Sequence, residues 1–123
     1  MPIISSTDAT MFETHGSRFH SYVARSRGSV QLCAWRLEIP PGLVGVAHRP
    51  NHEEVLLVLD GDVCLTLDGV RSTLHQGDVA LIPANTELQV DAGAEGSSVW
   101  VTTTSGLEAI TGDGVRISPP WAQ

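Results

Sequence analysis

The sequence predicts an all-β domain, a sandwich or barrel of short antiparallel strands. Turn-forming residues recur every eight positions through its second half, at Gly61, Gly69, Gly77, Asn85 and Gly93. β-rich runs fill the intervals, which is the punctuation of a multi-stranded β fold. No window sustains apolar residues at the i, i+3, i+4, i+7 spacing of an amphipathic helix. At 123 residues the chain has the length of one domain, enough for a real core.

Taken in order, Thr7 to Phe12 is the one stretch where a turn or two of helix is expected. Val30 to Ile39 alternates, with Cys33, Trp35, Leu37 and Ile39 on one face and Arg36 and Glu38 on the other. That is a half-buried strand, and Pro40-Pro41-Gly42 ends it. Val63–Leu67, Val70–Leu74, Val79–Ile82 and Leu88–Val90 are the next strands. Asp68-Gly69 joins the first two as a hairpin turn, because both residues tolerate positive φ. Asp60-Gly61-Asp62 and Gln76-Gly77-Asp78 read in the same way, so Gly61, Gly69 and Gly77 are all expected in turns between strands. Ser98–Thr104 and Val115–Ser118 continue in β, with a turn at Gly112-Asp113-Gly114. Pro119-Pro120-Trp121 is too stiff for a central strand.

Seven basic against fourteen acidic residues give a net charge of −7. That argues against nucleic acid or an anionic membrane surface as the main partner. No apolar run approaches the roughly 18–20 residues of a membrane span, and Met1 to Ser6 has no signal-peptide character. Cys33 and Cys64 are then expected as free, buried thiols in a cytoplasmic protein. There is no phosphate-cradling glycine loop, no serine nucleophile elbow and no CxxC pair.

The most informative stretch runs from Gly42 to Gly61. Gly42 is followed by five residues and His48; Glu54 comes six positions later, and six residues after that stands Gly61. Farther on, Gly77 is followed by five residues and Pro83, then Asn85 and Leu88. Both spacings resemble the two motifs of the cupin superfamily, over roughly residues 30–104. In that family a second histidine stands where this chain has Pro50, a glycine where it has Asn85, and a histidine where it has Leu88. Asparagine for glycine is benign, since asparagine tolerates the left-handed region well. The resemblance implies a single small cupin domain over residues 1–123, a double-stranded β-helix or jelly-roll barrel with its core at about 30–104. It also implies a site in the barrel mouth, with metal ligands at positions 48, 50, 54 and 88. This chain supplies only His48 and Glu54 of the four.

His48 and Glu54 are therefore the candidate catalytic pair, a histidine whose ring a carboxylate would orient in an apolar cavity. His52 shares strand parity with both, which would complete a two-histidine, one-carboxylate metal set. Pro50 interrupts the strand between them, so His52 is expected to project elsewhere, near the barrel rim. Glu53 has the opposite parity and reads as solvated. Trp35 and Leu88 are candidate cavity walls, with Phe19, Tyr22 and Trp100 as further aromatic candidates. Arg36, if it faced inward, would clamp a substrate oxygen. His15, His20 and His75 fall near expected loops or termini and read as surface residues.

These residues point first to an enzyme acting by proton transfer on a small, largely apolar carbonyl compound: an isomerase, cyclase, lyase or decarboxylase without a firm metal requirement. A non-enzymatic ligand-binding or sensing module is the second reading. A metal-dependent, oxygenase-like cupin using His48, His52, Glu54 and water is the third. No cofactor is firmly implied; the open alternative is a divalent transition metal, with His48, His52 and Glu54 as its candidate ligands. Exposed sheet edges, together with the resemblance, imply a homodimer paired through a sheet face or by exchange of the Met1–Ile4 segment.

Overall fold

The computed structural model describes residues 3–123. Ten strands follow one another: β1 (Thr10–Thr14), β2 (Ser17–Val23), β3 (Leu32–Ile39), β4 (His48–Pro50), β5 (Glu54–Leu67), β6 (Val70–Leu74), β7 (Val79–Ile82), β8 (Leu88–Thr104), β9 (Ala109–Thr111) and β10 (Arg116–Ile117). Two single 3-10 turns, Arg25–Arg27 and Pro120–Ala122, are the only helical segments among the described residues. The helical turn expected at Thr7–Phe12 is replaced by β1. Its residues pair with β2 from Thr10↔Ser21 to Thr14↔Ser17, and ladder bonds override a weak local preference.

All the strands pair antiparallel in one sheet that curls upon itself. The order β1-β2-β3-β8-β4-β9-β10 forms one path, and β5 branches from β8 to carry β6 and β7. The long strands β5 and β8 form the spine. Val55–Val58 lie opposite Val99–Thr102, and Val63–Leu67 lie opposite Leu88–Ala92. Between these stretches the register shifts twice, at Val58/Asp60 and at Gly61/Val63. Such bulges bend a strand and increase its twist, which lets one sheet close toward a barrel.

Gly61 was expected in a hairpin turn and instead sits inside continuous β5, at the second of these bulges. Its φ of +73° supplies the bend. A Cβ at this position would come 2.3 Å from the Gly96 carbonyl oxygen on β8. Gly69 and Gly77 do occupy turns between strands. Gly61→Ala is expected to cost about 2–4 kcal/mol, from left-handed strain plus the collision with backbone. Gly69→Ala is the control, because φ is +83° there and nothing lies within 4 Å of the added Cβ. Urea denaturation of both variants checks this. Equal losses would show that the β5–β8 approach at Gly61 is looser than described.

The interior is apolar and continuous. Leu56, Val58, Val63, Ile82 and Val99 are each less than 2 % exposed, and each contributes about 1.5–3 kcal/mol of burial. Cys33, Trp35, Leu65, Leu88, Val101 and Leu107 extend the same cluster. Cys33 and Cys64 are both free thiols; Cys33 is buried as expected, whereas Cys64 is only half-buried. No helix among the described residues is long and apolar enough to cross a membrane.

Candidate functional site

The alternation of β3 turns Trp35, Leu37 and Ile39 inward. Glu54 and Leu56 at the start of β5 do the same, as do Leu88 and Val90 on β8. Together with His48 and Pro50 of β4, they line a cavity of about 130 Å3 inside the barrel. All four positions that the cupin pattern assigns to ligands, 48, 50, 54 and 88, thus face one space. His48 and Leu88 are direct partners across β4 and β8.

Phe19 of β2 and Trp121 of the C-terminal turn also line the cavity. Their rings stack with centroids 3.7 Å apart, and Trp121 meets Trp35 edge-on at 6.4 Å. Ser21 Oγ donates to the Trp121 carbonyl at 2.7 Å and anchors that turn. The mouth is framed by the β1–β2 turn and the 40–47 loop, which contribute His15, Leu43, Gly45 and Val46. Gly45 has to be glycine, because a Cβ there would stand 2.2 Å from the Val90 carbonyl oxygen. Its N–H donates to Asp91 Oδ1 at 2.8 Å, holding the loop against β8.

Glu54 is 4 % exposed, and its carboxyl makes no hydrogen bond within the described residues. Burial raises its pKa from the ordinary 4.5 to about 7, since an ionised carboxylate loses hydration that apolar walls do not replace. Near neutral pH the acid and base forms are then comparably populated, the condition under which a carboxyl serves proton transfer best.

The half-buried His48 places Nδ1 2.9 Å from the Val46 carbonyl oxygen. A carbonyl only accepts, so Nδ1 carries the proton and Nε2 is left with its lone pair. Burial lowers the His48 pKa; the Val46 carbonyl opposes that shift and His15 adds to it. The ring is thus neutral around pH 7. No hydrogen bond joins His48 to Glu54. The sequence suggests that Glu54 orients the imidazole, whereas the Val46 carbonyl does so.

Trp35 and Leu88 line the cavity as expected, at 4 % and 3 % exposure. The Trp35 indole N–H is buried without an acceptor among the described residues. Arg36 does not reach the cavity. Alternation places it on the opposite face of β3 from Trp35, where its guanidinium donates to the Glu38 carboxylate. Tyr22 and Trp100 are also absent from the cavity lining and pack against each other, centroids 5.5 Å apart. His52 lies outside the cavity lining. The chain bends after Pro50, and His52 Nδ1 sits 2.9 Å from Thr104 Oγ1. Glu53 is exposed, as is His75, paired with Asp62 at 2.9 Å. His20 is half-buried, with Nε2 2.9 Å from Glu38 Oε1, rather than a plain surface residue.

The donor set does not fit a metal. His48 and Glu54 are, among the described residues, the only metal-binding side chains deep in the cavity, and His15 reaches only its mouth. Among the described residues no three histidine, cysteine, aspartate or glutamate side chains gather closely enough to share an ion. Pro50 and Leu88 put carbon where the family pattern has donors.

Two site residues escaped sequence reasoning. His15 belongs to the cavity mouth only because the β1–β2 turn folds over the barrel; its left-handed backbone, φ 50°, was a signal available only in the structure. Trp121 carried a weak sequence signal, an aromatic held behind two prolines.

Comparison with known proteins agrees with this fold. A model of the cupin domain matches residues 35–104. The endoribonuclease YbeY of Myxococcus xanthus is 32% identical over 69 residues, 55% of this chain and 24% of that protein. The chain spans about a quarter of that relative's length. The polyketide cyclase RemF of Streptomyces resistomycificus superposes with a TM-score of 0.75 at 17% identity, over 85% of this chain and 79% of that one. A sugar phosphate isomerase of the cupin superfamily from Silicibacter pomeroyi gives 0.68 at 20% identity, over 80% of this chain and 66% of that one. At these identities the two structures speak for the fold alone. The family match covers more than half of the chain, and with a curled antiparallel sheet around the motif positions, the protein belongs to the cupin domain family.

Proposed function

We propose that this cupin binds a small organic molecule in its barrel and catalyses proton transfer on it without a metal. The observation that carries the reading is the Glu54 carboxyl, buried in an apolar cavity, without a hydrogen-bond partner and with a pKa of about 7. Glu54 is the acid–base group. The Nε2 of neutral His48 is an acceptor that receives a substrate proton or orients a substrate hydroxyl. Structural likeness to a cyclase and an isomerase is compatible with chemistry of this type and adds no residue role. The test is exchange of carbon-bound protons in D2O, followed by NMR over a panel of small ketones and enols. Glu54→Gln is expected to lower exchange about 100-fold or more, the usual range for removing a general acid–base. Undiminished exchange in that variant would sink the assignment.

The absence of a hydrogen bond between His48 and Glu54, with His48 held instead by the Val46 carbonyl, favours, in second place, a ligand-binding or sensing module. In that case ligands bind and no exchange occurs with any of them.

The homodimer also belongs here. The outer face of β5 and β7 exposes Val55, Val79 and Leu81 at 41%, 61% and 59%. Val55 and Leu81 are cross-strand partners, so the apolar residues form one surface suited to a copy of itself. Strand exchange through Met1–Ile4 is the alternative route. Met1 and Pro2 lie outside the described residues, while Ile3 is 76% exposed. Light scattering at micromolar concentration should give twice the 13.1 kDa chain mass, and Leu81→Lys should return the monomer. A wild-type monomer would rule the pairing out. A cytoplasmic location fits the two free thiols.

A further inference from the structure

The cavity's size, walls and charge narrow the ligand further than proton transfer does. Its volume is about 130 Å3, and an engineered apolar protein cavity of about 150 Å3 takes up benzene. One ring with small substituents fills such a space, and a fused pair of rings exceeds it. Phe19, Trp35 and Trp121 give the lining aromatic surface, the first and last stacked and Trp35 edge-on to Trp121, which suits a ring able to stack or to meet an edge.

Charge is excluded from both directions. No lysine or arginine lines the cavity, Arg36 is tied to Glu38 outside it, and the chain carries a net −7. A phosphate or carboxylate would be desolvated with no countercharge. An ammonium would have Glu54 as partner, but a buried pair without further hydrogen bonds does not recover its desolvation cost. Two polar groups of the cavity lining still want partners: the Glu54 carboxyl and the Nε2 lone pair of His48. An oxygen on the guest would satisfy one or both, and leaving such groups unpaired is costly.

We propose that the cavity takes an uncharged, single-ring molecule bearing a carbonyl or hydroxyl oxygen that meets Glu54 or His48. This ligand class rests on the same site as the proton-transfer reading, yet it is tested by binding alone.

Calorimetry and thermal melting of the wild type at pH 7 would use phenol, 2-cyclohexen-1-one, benzene, benzoate, benzylammonium and 2-naphthol. Phenol or the enone is expected to bind at least tenfold tighter than benzene, and at least tenfold tighter than either ion or the naphthol. Methyl NMR shifts at Leu88 and Val101 should place the bound ring inside the barrel. Ionic or two-ring compounds binding as tightly as phenol would overturn the proposal, as would phenol no tighter than benzene or no ring binding at millimolar concentration. Ring binding without proton exchange would leave the ligand class standing and remove the enzyme reading. Exchange on ketones that are larger or charged would do the reverse.

Discussion

Glu54→Gln should make the protein about 3 kcal/mol more stable at pH 8, relative to wild type, than it does at pH 4. The sign follows from linkage. The folded carboxyl holds its proton up to about pH 7, while the unfolded one releases it near 4.5. Between those values the folded state binds more protons, so wild-type stability falls as pH rises and the penalty is complete above pH 7. At about 1.4 kcal/mol for each pH unit between the two values, the total is about 3 kcal/mol. His48 acts in the opposite sense. Its folded pKa is lowered by burial, so protonation of the unfolded chain costs stability below about pH 6.5, and stability rises with pH through that window. The glutamine variant should keep this rising limb and lose the falling one. Chemical denaturation at half-unit steps from pH 4 to 9 measures both. A wild type and variant with parallel pH curves would mean that Glu54 titrates normally, and the proton-transfer reading would lose its base.

The same residue shows how far the sequence reaches. The resemblance to the cupin motifs places His48, Pro50, Glu54 and Leu88 at one site, because a motif in a barrel fixes both strand parity and distance along the strand. Turn spacing brackets β6 and β7 at Val70–Leu74 and Val79–Ile82. The eight-residue glycine rhythm is ambiguous, however. A glycine with positive φ serves a hairpin at Gly69 and a bulge at Gly61, and only the partner strand distinguishes them. Gly93 likewise falls inside β8 rather than in a turn. Parity correctly separates Trp35 from Arg36. It is silent on hydrogen bonds such as that between His48 and Val46, and these decide which ring nitrogen is free. His15 and Trp121 reach the cavity through a folded-over turn and a C-terminal segment about a hundred residues from its stacking partner Phe19. No local pattern encodes that approach.

Restoring the missing donors is expected to have the largest effect on stability. Pro50→His together with Leu88→His would add two imidazoles to His48 and Glu54, at positions that already line one cavity. Without metal the double variant should be the less stable protein. Leu88 is 3 % exposed and Pro50 less than 2 %, and polar rings without partners are costly at such depth. With nickel or zinc the order should reverse. Three histidines and a carboxylate suit either ion, and a ligand at a thousand times its dissociation constant adds about 4 kcal/mol of stability. The wild type and each single variant have two or three of the four donors, and their melting should respond far less to the same metal. The Val46 carbonyl already fixes the His48 ring with Nε2 free, as a ligating histidine needs. Melting with and without metal, together with elemental analysis, checks each step. A double variant that folds and ignores metal would show that the four side chains line one space without converging on one point. Stoichiometric metal in the wild type would show that two protein donors and water suffice, and would move the chemistry of this barrel away from Glu54 acting alone.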